Sequence, residues 1–326
     1  MRVAIITRSG FRSPRYLATG LQRMLKRCGA HADIYLNGIS WLDAIKLRNA
    51  SRRHRLVATY ARAWLQFWRR YDAFVVSETI DVAGDAQLLA PLRALGKPIF
   101  LYEVFAFTGS KYWFDRVPPS APSLFDGLLV ASAIHDDPLI DGPPIFEIGL
   151  ELLESQTNAD AKPFMAMLDF ARPGYESDRE LQTEAIAELG LPSFVLDGEY
   201  SFEKIVEEYD RAAVAFLAFP EAFGVPIAQL QQRGALIATP RRRWAKRHAL
   251  LPPGSVYSEA DARFSENFIF YNDKQDLKDQ LRKAQSGYRP DIVAQRFQRT
   301  QPHLAGGDRE EIHRLLEFAI SLRGKC

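Results

Sequence analysis

The sequence predicts an α/β protein of two domains, and three observations carry this prediction. The chain has 326 residues, more than one hydrophobic core usually serves, so two domains of roughly 150 residues are expected. Its short apolar runs lack strict alternation and are separated by helical stretches, which is typical of parallel sheets covered on both faces. The pattern is interrupted by the polar stretch "LESQTNADAK" and then restarts.

The position of this polar stretch gives the predicted domain bounds. We assign residues 1–154 to an N-terminal domain, 155–162 to a linker and 163–305 to a C-terminal domain. Residues 306–326 are predicted to form a closing helix that packs back on the N-terminal domain.

Composition limits the class of protein. An apolar share of 47% with 25% charged residues is ordinary for a globular chain. A net charge of +2 implies no overall attraction to nucleic acid. Two cysteines are too few for a disulfide framework, and the first apolar run, "VAII", is too short for a signal-peptide core or a membrane span. A cytoplasmic protein is therefore expected.

The N-terminal domain is predicted to be Rossmann-like. It starts with an apolar strand, a glycine-containing loop and an amphipathic helix, for which Ser13 is a plausible N-cap, Pro14 the first helical position and Gly29 the end. Further strands are predicted at "ADIYL", "DAFVVSE", "KPIFLYEV", "DGLLVAS" and "PIFEIGL".

The C-terminal domain repeats this organisation, with strands and helices in alternation. Strands are predicted at "PFMAMLDF", "SFVLDG", "AVAFLAF" and "ENFIFYND", and helices at "SDRELQTEAIAELG", "FEKIVEEYDRA" and "KQDLKDQLRKAQ". The last helix is "DREEIHRLLEFAISLRG".

The stretch "PEAFGVPIAQLQQRGALIAT" directly follows the strand "AVAFLAF". Glu221 therefore lies at the carboxyl end of a strand, where doubly wound sheets bind ligands. Gly224 would let the backbone approach a ligand, and the helix that starts after it would point N-terminal amides the same way. Gln229 follows Glu221 by about two helical turns, so both side chains could face one ligand.

This stretch resembles the E-x-F-G-x-x-x-x-E-x-x-x-x-G-x-P-V-V segment of nucleotide-sugar glycosyltransferases with the GT-B fold, in which an active-site cleft lies between two facing Rossmann-like domains. The resemblance implies that Glu221 binds donor-sugar hydroxyls and that Phe223 and Gly224 bring the backbone close to sugar or phosphate. Gln229 takes the ribose position, where the family has a glutamate. An amide lacks the charge that strengthens such hydrogen bonds, so altered nucleotide affinity is expected.

A second segment, "LDFARPGYESDREL", is similar to the RP…R variant of rhamnosyltransferase-type members. The resemblance implies that Arg172 and Arg179 neutralise the donor diphosphate, for which a fixed guanidinium charge is suited. No lysine follows Arg172, unlike in the commoner variant. A solvated surface arginine remains the alternative for Arg172.

The first domain offers two further candidates. The loop "TRSGFRSPR", with Gly10 and Arg12, could hold a donor phosphate or an anionic acceptor, although ordinary surface arginines are an equal alternative. It lacks G-x-G-x-x-G spacing, which disfavours an oxidoreductase. Glu103 could act as general base in an inverting displacement, or could simply be hydrogen-bonded at a strand end. A retaining mechanism would need no protein base, so the stereochemistry stays open.

No metal ion and no cofactor besides the donor are expected. An Asp-x-Asp site is absent from the sequence, and the adjacent acids of "HDDPLID" suit a turn.

Basic residues and aromatics accumulate between Asp43 and Asp72, where the chain has no acid. Such a segment could lie on an anionic membrane surface, or could be a core-facing helix with snorkelling arginines. A second basic run, "TPRRRWAKRH", could contact phosphates or an acidic acceptor.

The resulting hypothesis is a metal-independent glycosyltransferase of polysaccharide biosynthesis, moving a hexosyl or deoxyhexosyl group to a glycan, a lipid-linked or another hydroxyl acceptor. Two alternatives stay open. One is a catalytically weak homologue that serves as a binding or scaffold protein, which Gln229 would suit. The other is a nucleotide-sugar epimerase.

Overall fold

The computed structural model describes two compact units. Unit 1 comprises residues 1–151 and 307–326, and unit 2 comprises residues 152–306. The structure describes residues 1–7, 12–36, 66–77, 92–105, 125–132, 143–152, 162–170, 173–197, 200, 202–217, 224–241, 244–245, 256–257 and 265–323.

Unit 1 contains a sheet of six strands that pair in parallel. The strands are β1 (Arg2–Thr7), β2 (His31–Leu36), β3 (Ala73–Ser77), β4 (Ile99–Phe105), β5 (Gly127–Ser132) and β6 (Ile145–Glu147). Their order in the sheet is β2-β1-β3-β4-β5-β6. The chain therefore leaves β1 in one direction for β2 and returns on the other side for β3, which makes the gap between β1 and β3 the topological switch point.

Helices cover the face of this sheet that carries Val3, Ile5 and Thr7. These are α1 (Arg12–Arg27) and the last helix, α8 (Arg309–Leu322). Phe318 of α8 packs against Phe100 and Phe146, with ring centroids 6.3 and 5.5 Å apart. The opposite face carries a separate core of buried residues that includes Ala4, Ile6, Trp68, Tyr71, Phe74 and Leu101.

Unit 2 contains a parallel sheet of five strands. The strands are β7 (Ala166–Leu168), β8 (Ser193–Val195), β9 (Val214–Phe216), β10 (Leu236–Pro240) and β13 (Phe268–Tyr271), and their order is β13-β10-β9-β7-β8. Its switch point lies between β7 and β9. A small antiparallel pair, β11 (Trp244–Ala245) with β12 (Val256–Tyr257), lies in the chain between β10 and β13.

Six helices belong to unit 2: α2 (Glu176–Glu188), α3 (Phe202–Arg211), α4 (Val225–Gln232), α5 (Lys274–Ser286), α6 (Pro290–Thr300) and α7 (Pro302–Gly306). Buried residues of α2, α5 and α6 form a core with one face of the sheet. Buried residues of α3 and α4 form a core with the other face. Each sheet is thus covered on both faces, as its uninterrupted apolar strands require.

The expected fold class, α/β with two Rossmann-like units, is confirmed. The strands and helices quoted from the sequence form, and one helix boundary differs. Helix α1 begins at Arg12, so Pro14 lies inside its first turn, where a missing backbone N–H leaves no helical bond unmade. The structure also contains three features that were not predicted from the sequence: helix α6, which starts at Pro290, helix α7 and the pair of β11 with β12. No helix of the described residues is long and apolar enough to cross a membrane.

Candidate functional site

The two glycosyltransferase-like segments begin at neighbouring strand ends in unit 2. Strands β7 and β9 pair directly, with Leu168 opposite Phe216 at their carboxyl ends. The chain continues from β7 toward Arg172 and from β9 toward Glu221 and Phe223. Those three residues lie outside the described part of the chain. The topology nevertheless starts both segments at the switch point of one sheet, where ligands of such sheets bind.

Gly224 lies immediately before helix α4. It is buried and extended, with φ −172° and ψ 158°, so its backbone conformation is open to any residue. The first turn of α4 contains Pro226 and no acid, and no side chain caps it. The N–H groups of Val225 and Ile227 therefore have no acceptor within the helix, which is the arrangement that attracts anionic or hydroxyl oxygens.

Three buried residues of α4 are glutamines, Gln229, Gln231 and Gln232, and their amides differ in hydrogen bonding. Gln229 is 5% exposed, and its side chain makes no hydrogen bond with the residues that the structure describes. Gln231 is fully engaged: it donates to the carbonyl of Ile227 at 3.3 Å and accepts from Asn267 at 3.4 Å. Gln232 is buried, and neither of its amide atoms has a partner among the described residues. A buried amide without a partner costs about 1–3 kcal/mol, so Gln232 is not explained by packing.

Arg179 lies in the second turn of α2, next to the end of β7. Its Nη2 donates to the carbonyl of Asp169 at 3.0 Å, and its Nη1 is buried with no partner in the described part of the chain. Burial lowers the pKa of Arg179, and the nearby Asp169 partly offsets this. The structure therefore places Arg179 at the carboxyl edge of the sheet, and its contact with a diphosphate stays a prediction.

Gln182, one turn further along α2, was missed in the sequence. It is buried, and its Nε2 donates to the Tyr271 hydroxyl at 2.9 Å and to the carbonyl of Leu217 at 3.4 Å. The helical pattern contains a signal for it: Gln182 stands at a core position of the stripe that continues with Ala185 and Ile186. A polar residue in an apolar stripe requires an explanation.

The second basic run starts at the same edge of the sheet. The backbone N–H of Arg241, directly after β10, donates to the carbonyl of Tyr271 at 2.6 Å. The Arg241 guanidinium is exposed and lies 5.3 Å from the centroid of the Phe270 ring. Arg242 and Arg243 lie outside the described residues. Trp244 is placed in β11, opposite Tyr257.

The candidates in unit 1 are only partly described. Glu103 lies within β4, opposite Val130, and Arg12 is the first residue of α1, but the side chains of both lie outside the described part. Gly10 lies outside it altogether. At the switch point, Thr7 and Ser77 are register partners, and the Thr7 hydroxyl is buried with no partner among the described residues. The roles of Glu103, Gly10 and Arg12 stay predictions.

The basic and aromatic segment is described from residue 66 onward. Trp68 is buried in the core of unit 1, whereas Phe67 is 37% exposed. The Arg70 guanidinium lies 3.9 Å from the centroid of the Phe67 ring and donates to the hydroxyls of Tyr35 and Tyr71 at 2.9 and 3.2 Å. This end of the segment packs on unit 1. Both interpretations of residues 46–65 remain open.

A charged cluster joins the ends of α3 and α4. Lys162 Nζ donates to the carbonyl of Asp210 at 3.3 Å and to that of Arg233 at 2.8 Å. The Arg233 guanidinium pairs with the Asp210 carboxylate at 2.5 Å. Burial lowers the pKa of Lys162 to about 8. Because the cluster holds the carbonyls of two helix C-termini, its role is structural.

Metal ligands are not grouped in the described residues, where no three His, Cys, Asp or Glu side chains come together. The acids of "HDDPLID" lie outside that part of the chain.

Comparison with known proteins identifies the fold. No protein-family model and no curated protein sequence matches the chain. Among solved structures, Anabaena Alr3699/HepE in complex with UDP and glucose is similar at 11% identity and a TM-score of 0.54, over 98% of this chain and 99% of that one. Phytolacca americana UGT2, complexed with UDP-2-fluoro-glucose and pterostilbene, is similar at 11% identity and a TM-score of 0.50, over 99% and 100%.

The fold is of the GT-B type. A third similar structure limits what this means for activity. UDP-GlcNAc 2-epimerase from Neisseria meningitidis, bound to UDP-GlcNAc, is similar at 9% identity and a TM-score of 0.58, over 98% of this chain and 100% of that one. One architecture therefore serves both sugar transfer and epimerisation, and side chains have to decide between them.

Proposed function

We propose that this chain transfers a sugar from a nucleotide-diphosphate donor to a hydroxyl acceptor, without a metal ion. One observation carries the proposal. The segments that resemble glycosyltransferase motifs leave the carboxyl ends of β7 and β9, which are paired neighbours at the switch point of unit 2. A chance resemblance of two separate segments gives no reason for them to start side by side at a ligand-binding edge.

The proposed donor site uses unit 2. Arg172 and Arg179 offset the charge of the diphosphate leaving group, which is the main electrostatic demand of the reaction. Glu221 accepts hydrogen bonds from the donor sugar, and Phe223, Gly224 and the first amides of α4 approach the sugar or phosphate. Gln229, which is 5% exposed, bonds the ribose.

Unit 1 is the proposed acceptor side. Glu103 is the candidate general base, and Gly10 and Arg12 are candidates for contact with phosphate or an anionic acceptor. A metal is unnecessary in this scheme, because fixed guanidinium charges and helix N-terminal amides supply the positive potential.

A nucleotide-sugar epimerase is the second candidate. The similarity in fold to the Neisseria meningitidis UDP-GlcNAc 2-epimerase favours it. The same residues of unit 2 would hold the nucleotide in both cases, so donor binding alone does not separate the two activities.

The test has two stages. The chain is first titrated by calorimetry with UDP, GDP, ADP, CDP and dTDP, and we expect one to bind. The nucleotide sugars of that base, UDP-GlcNAc included for uridine, are then incubated with the chain without acceptor. Slow hydrolysis to free sugar supports a transferase, and conversion to an epimer supports the second candidate. Absence of heat with all five nucleotides would contradict both and favour a scaffold protein.

We further propose that the acceptor is a glycan or lipid-linked compound met at the cytoplasmic face of a membrane. The run of basic residues without acids between Asp43 and Asp72 supports this. Replacing Arg52, Arg53 and Arg55 by glutamine should lower sedimentation with anionic vesicles. The control replaces Arg282, Lys283 and Arg299 of unit 2. Equal sedimentation of the two triple variants would contradict the membrane contact and support the interpretation as a core-facing helix.

A further inference from the structure

Helix α2 of unit 2 reaches the ends of both strands that lead into the motif segments. Arg179 donates to the carbonyl of Asp169, the residue that follows β7. Gln182 donates to the carbonyl of Leu217, the residue that follows β9. The two side chains are three residues apart and thus share one face of the helix. One helix therefore contacts the backbone on both sides of the switch point.

Gln182 is held firmly in this position. Its side chain is buried, and its second hydrogen bond goes to the hydroxyl of Tyr271, a residue that is 2% exposed at the end of β13. Both N–H donors of the Gln182 amide are thereby used. The Leu217 carbonyl is thus tied to a side chain whose own orientation is fixed by a third strand.

The polar groups of this arrangement are only partly satisfied. Gln182 Oε1 and Arg179 Nη1 are buried and have no partner among the residues that the structure describes. An apolar side chain at position 182 would continue the stripe of Ala185 and Ile186 and would remove the unpaired Oε1, but the Leu217 carbonyl and the Tyr271 hydroxyl would lose their donor. Buried polar groups that are only partly satisfied cost free energy, and natural proteins retain such violations mostly at functional sites.

We propose that Gln182 is a positioning residue of the donor site. It fixes the end of β9, and with it the start of the segment that carries Glu221 and Phe223, relative to the Arg172 segment that Arg179 fixes in the same way. This inference rests on the proposed function. It assigns to α2 the task of setting the distance between the sugar-binding and the phosphate-binding halves of the site.

The matched variants are Gln182→Met, which keeps the size of the side chain, and Thr183→Ala, the exposed neighbour on α2. Gln182→Met should melt below the parent, because the Leu217 carbonyl and the Tyr271 hydroxyl each lose a hydrogen bond, and removal of the unpaired Oε1 offsets only part of that loss. Its kcat for donor hydrolysis or transfer should fall by about 10- to 100-fold, as expected for a misplaced reacting group. Affinity for the bare nucleoside diphosphate should stay within about threefold, since that ligand lacks the sugar. Thr183→Ala should match the parent in all three.

Combination with Glu221→Ala tests the route of the effect. If Gln182 acts through the Glu221 segment, the double variant should be no slower than Glu221→Ala alone, because coupled residues are not additive. Three results would overturn the positioning role while the proposed function stands. These are additive losses in the double variant, a parental kcat in Gln182→Met, and a fall in nucleotide affinity that follows a fall in melting temperature. A parent chain that binds no nucleotide would overturn the proposed function and, with it, the site that Gln182 positions.

Discussion

Units 1 and 2 share a strand order across their first five strands, yet different groups lie at their switch points. In unit 1, the last residues of β1 and β3 are Thr7 and Ser77, whose side chains lie on the face covered by α1. In unit 2, the residues after β7 and β9 are held through their backbone carbonyls by the long side chains of Arg179 and Gln182. The shared topology places a crevice at the switch point of each unit, and the side chains at that crevice decide which ligand binds there.

The two units also differ in what a side chain would contact if it replaced a glycine. Gly234 ends α4 with φ +82°, and an added Cβ would lie 2.6 Å from Cβ and 2.7 Å from the carbonyl oxygen of Pro290. Gly307, with φ +74°, would meet the Sδ of Met24 in unit 1. A thioether can rotate away, whereas the backbone of Pro290 cannot. The second glycine of the motif is therefore a structural requirement of unit 2.

The largest effect is expected for Glu221→Ala. Transfer or donor hydrolysis should fall by about 100-fold or more if the carboxylate binds the sugar in the transition state, while affinity for the bare nucleoside diphosphate stays nearly intact. Glu221→Gln should be milder, because it keeps an acceptor without the charge. Activity and calorimetry on each variant are the measurements. Equal losses in affinity and activity would show that Glu221 only holds its loop together.

Arg172→Ala should act on affinity instead. Loss of a charge-assisted contact of about 1.5–3 kcal/mol weakens nucleoside diphosphate binding by at least tenfold. The control is Arg282→Ala on the exposed face of α5, which should bind as the parent does. Unchanged affinity in Arg172→Ala would remove the phosphate role and weaken the assignment of the donor to unit 2.

Gly234→Ala should lower stability by about 2–4 kcal/mol, from the positive φ and the clash with Pro290 together. Gly190→Ala is the matched control at the end of α2: its φ is +63°, but nothing lies within 4 Å of the added Cβ. It should cost only the backbone term, about 1 kcal/mol. Denaturant unfolding compares the two, and equal losses would show that Pro290 yields after all.

Lys162 gives unit 2 a response to alkaline pH. The pKa of Lys162 is about 8 in the folded chain, below its ordinary value of 10.5. Between pH 8 and pH 10.5 the unfolded chain therefore binds more protons than the folded chain. Below pH 8 the folded chain carries the full free-energy cost of burying the Lys162 charge. As the pH rises the lysine loses its proton, and the free energy of unfolding increases by up to about 3 kcal/mol by pH 10.5. Lys162→Met should lack this slope. Melting curves at several pH values test it, and parallel curves for parent and variant would refute it.

The smallest effect is expected in unit 1, for Thr7→Val. The substitution keeps the shape of the side chain and removes a buried hydroxyl that has no partner among the described residues, so the free energy of unfolding should stay level or rise by about 1 kcal/mol. Thr7→Ser, which keeps the hydroxyl and loses a methyl group, is the comparison. A clear loss of stability in Thr7→Val would mean that the hydroxyl is satisfied in solution, for example by water.

Much of the fold was predictable because local patterns and packing agree. The run "AVAFLAF" is apolar without alternation, and β9 is buried on both faces as that pattern indicates. Helix α6 was not predicted: Pro290 starts it, but "PDIVAQRFQRT" buries only a narrow stripe that includes Val293 and Phe297. Gln182 was missed for another reason. Its meaning depends on Leu217 and Tyr271, which are 35 and 89 residues away in the chain.

The sequence by itself determined the class of fold, the alternation of strands and helices, and the two segments that resemble glycosyltransferase motifs, because periodicity and turn residues act over a few neighbours. Only the tertiary structure decided the strand order, and with it that the Arg172 and Glu221 segments start at paired strand ends. It also decided that the last glycine of the motif faces Pro290 and that α2 links β7 to β9. The physical reason is that these contacts join residues distant in sequence, whose meeting depends on how whole elements pack.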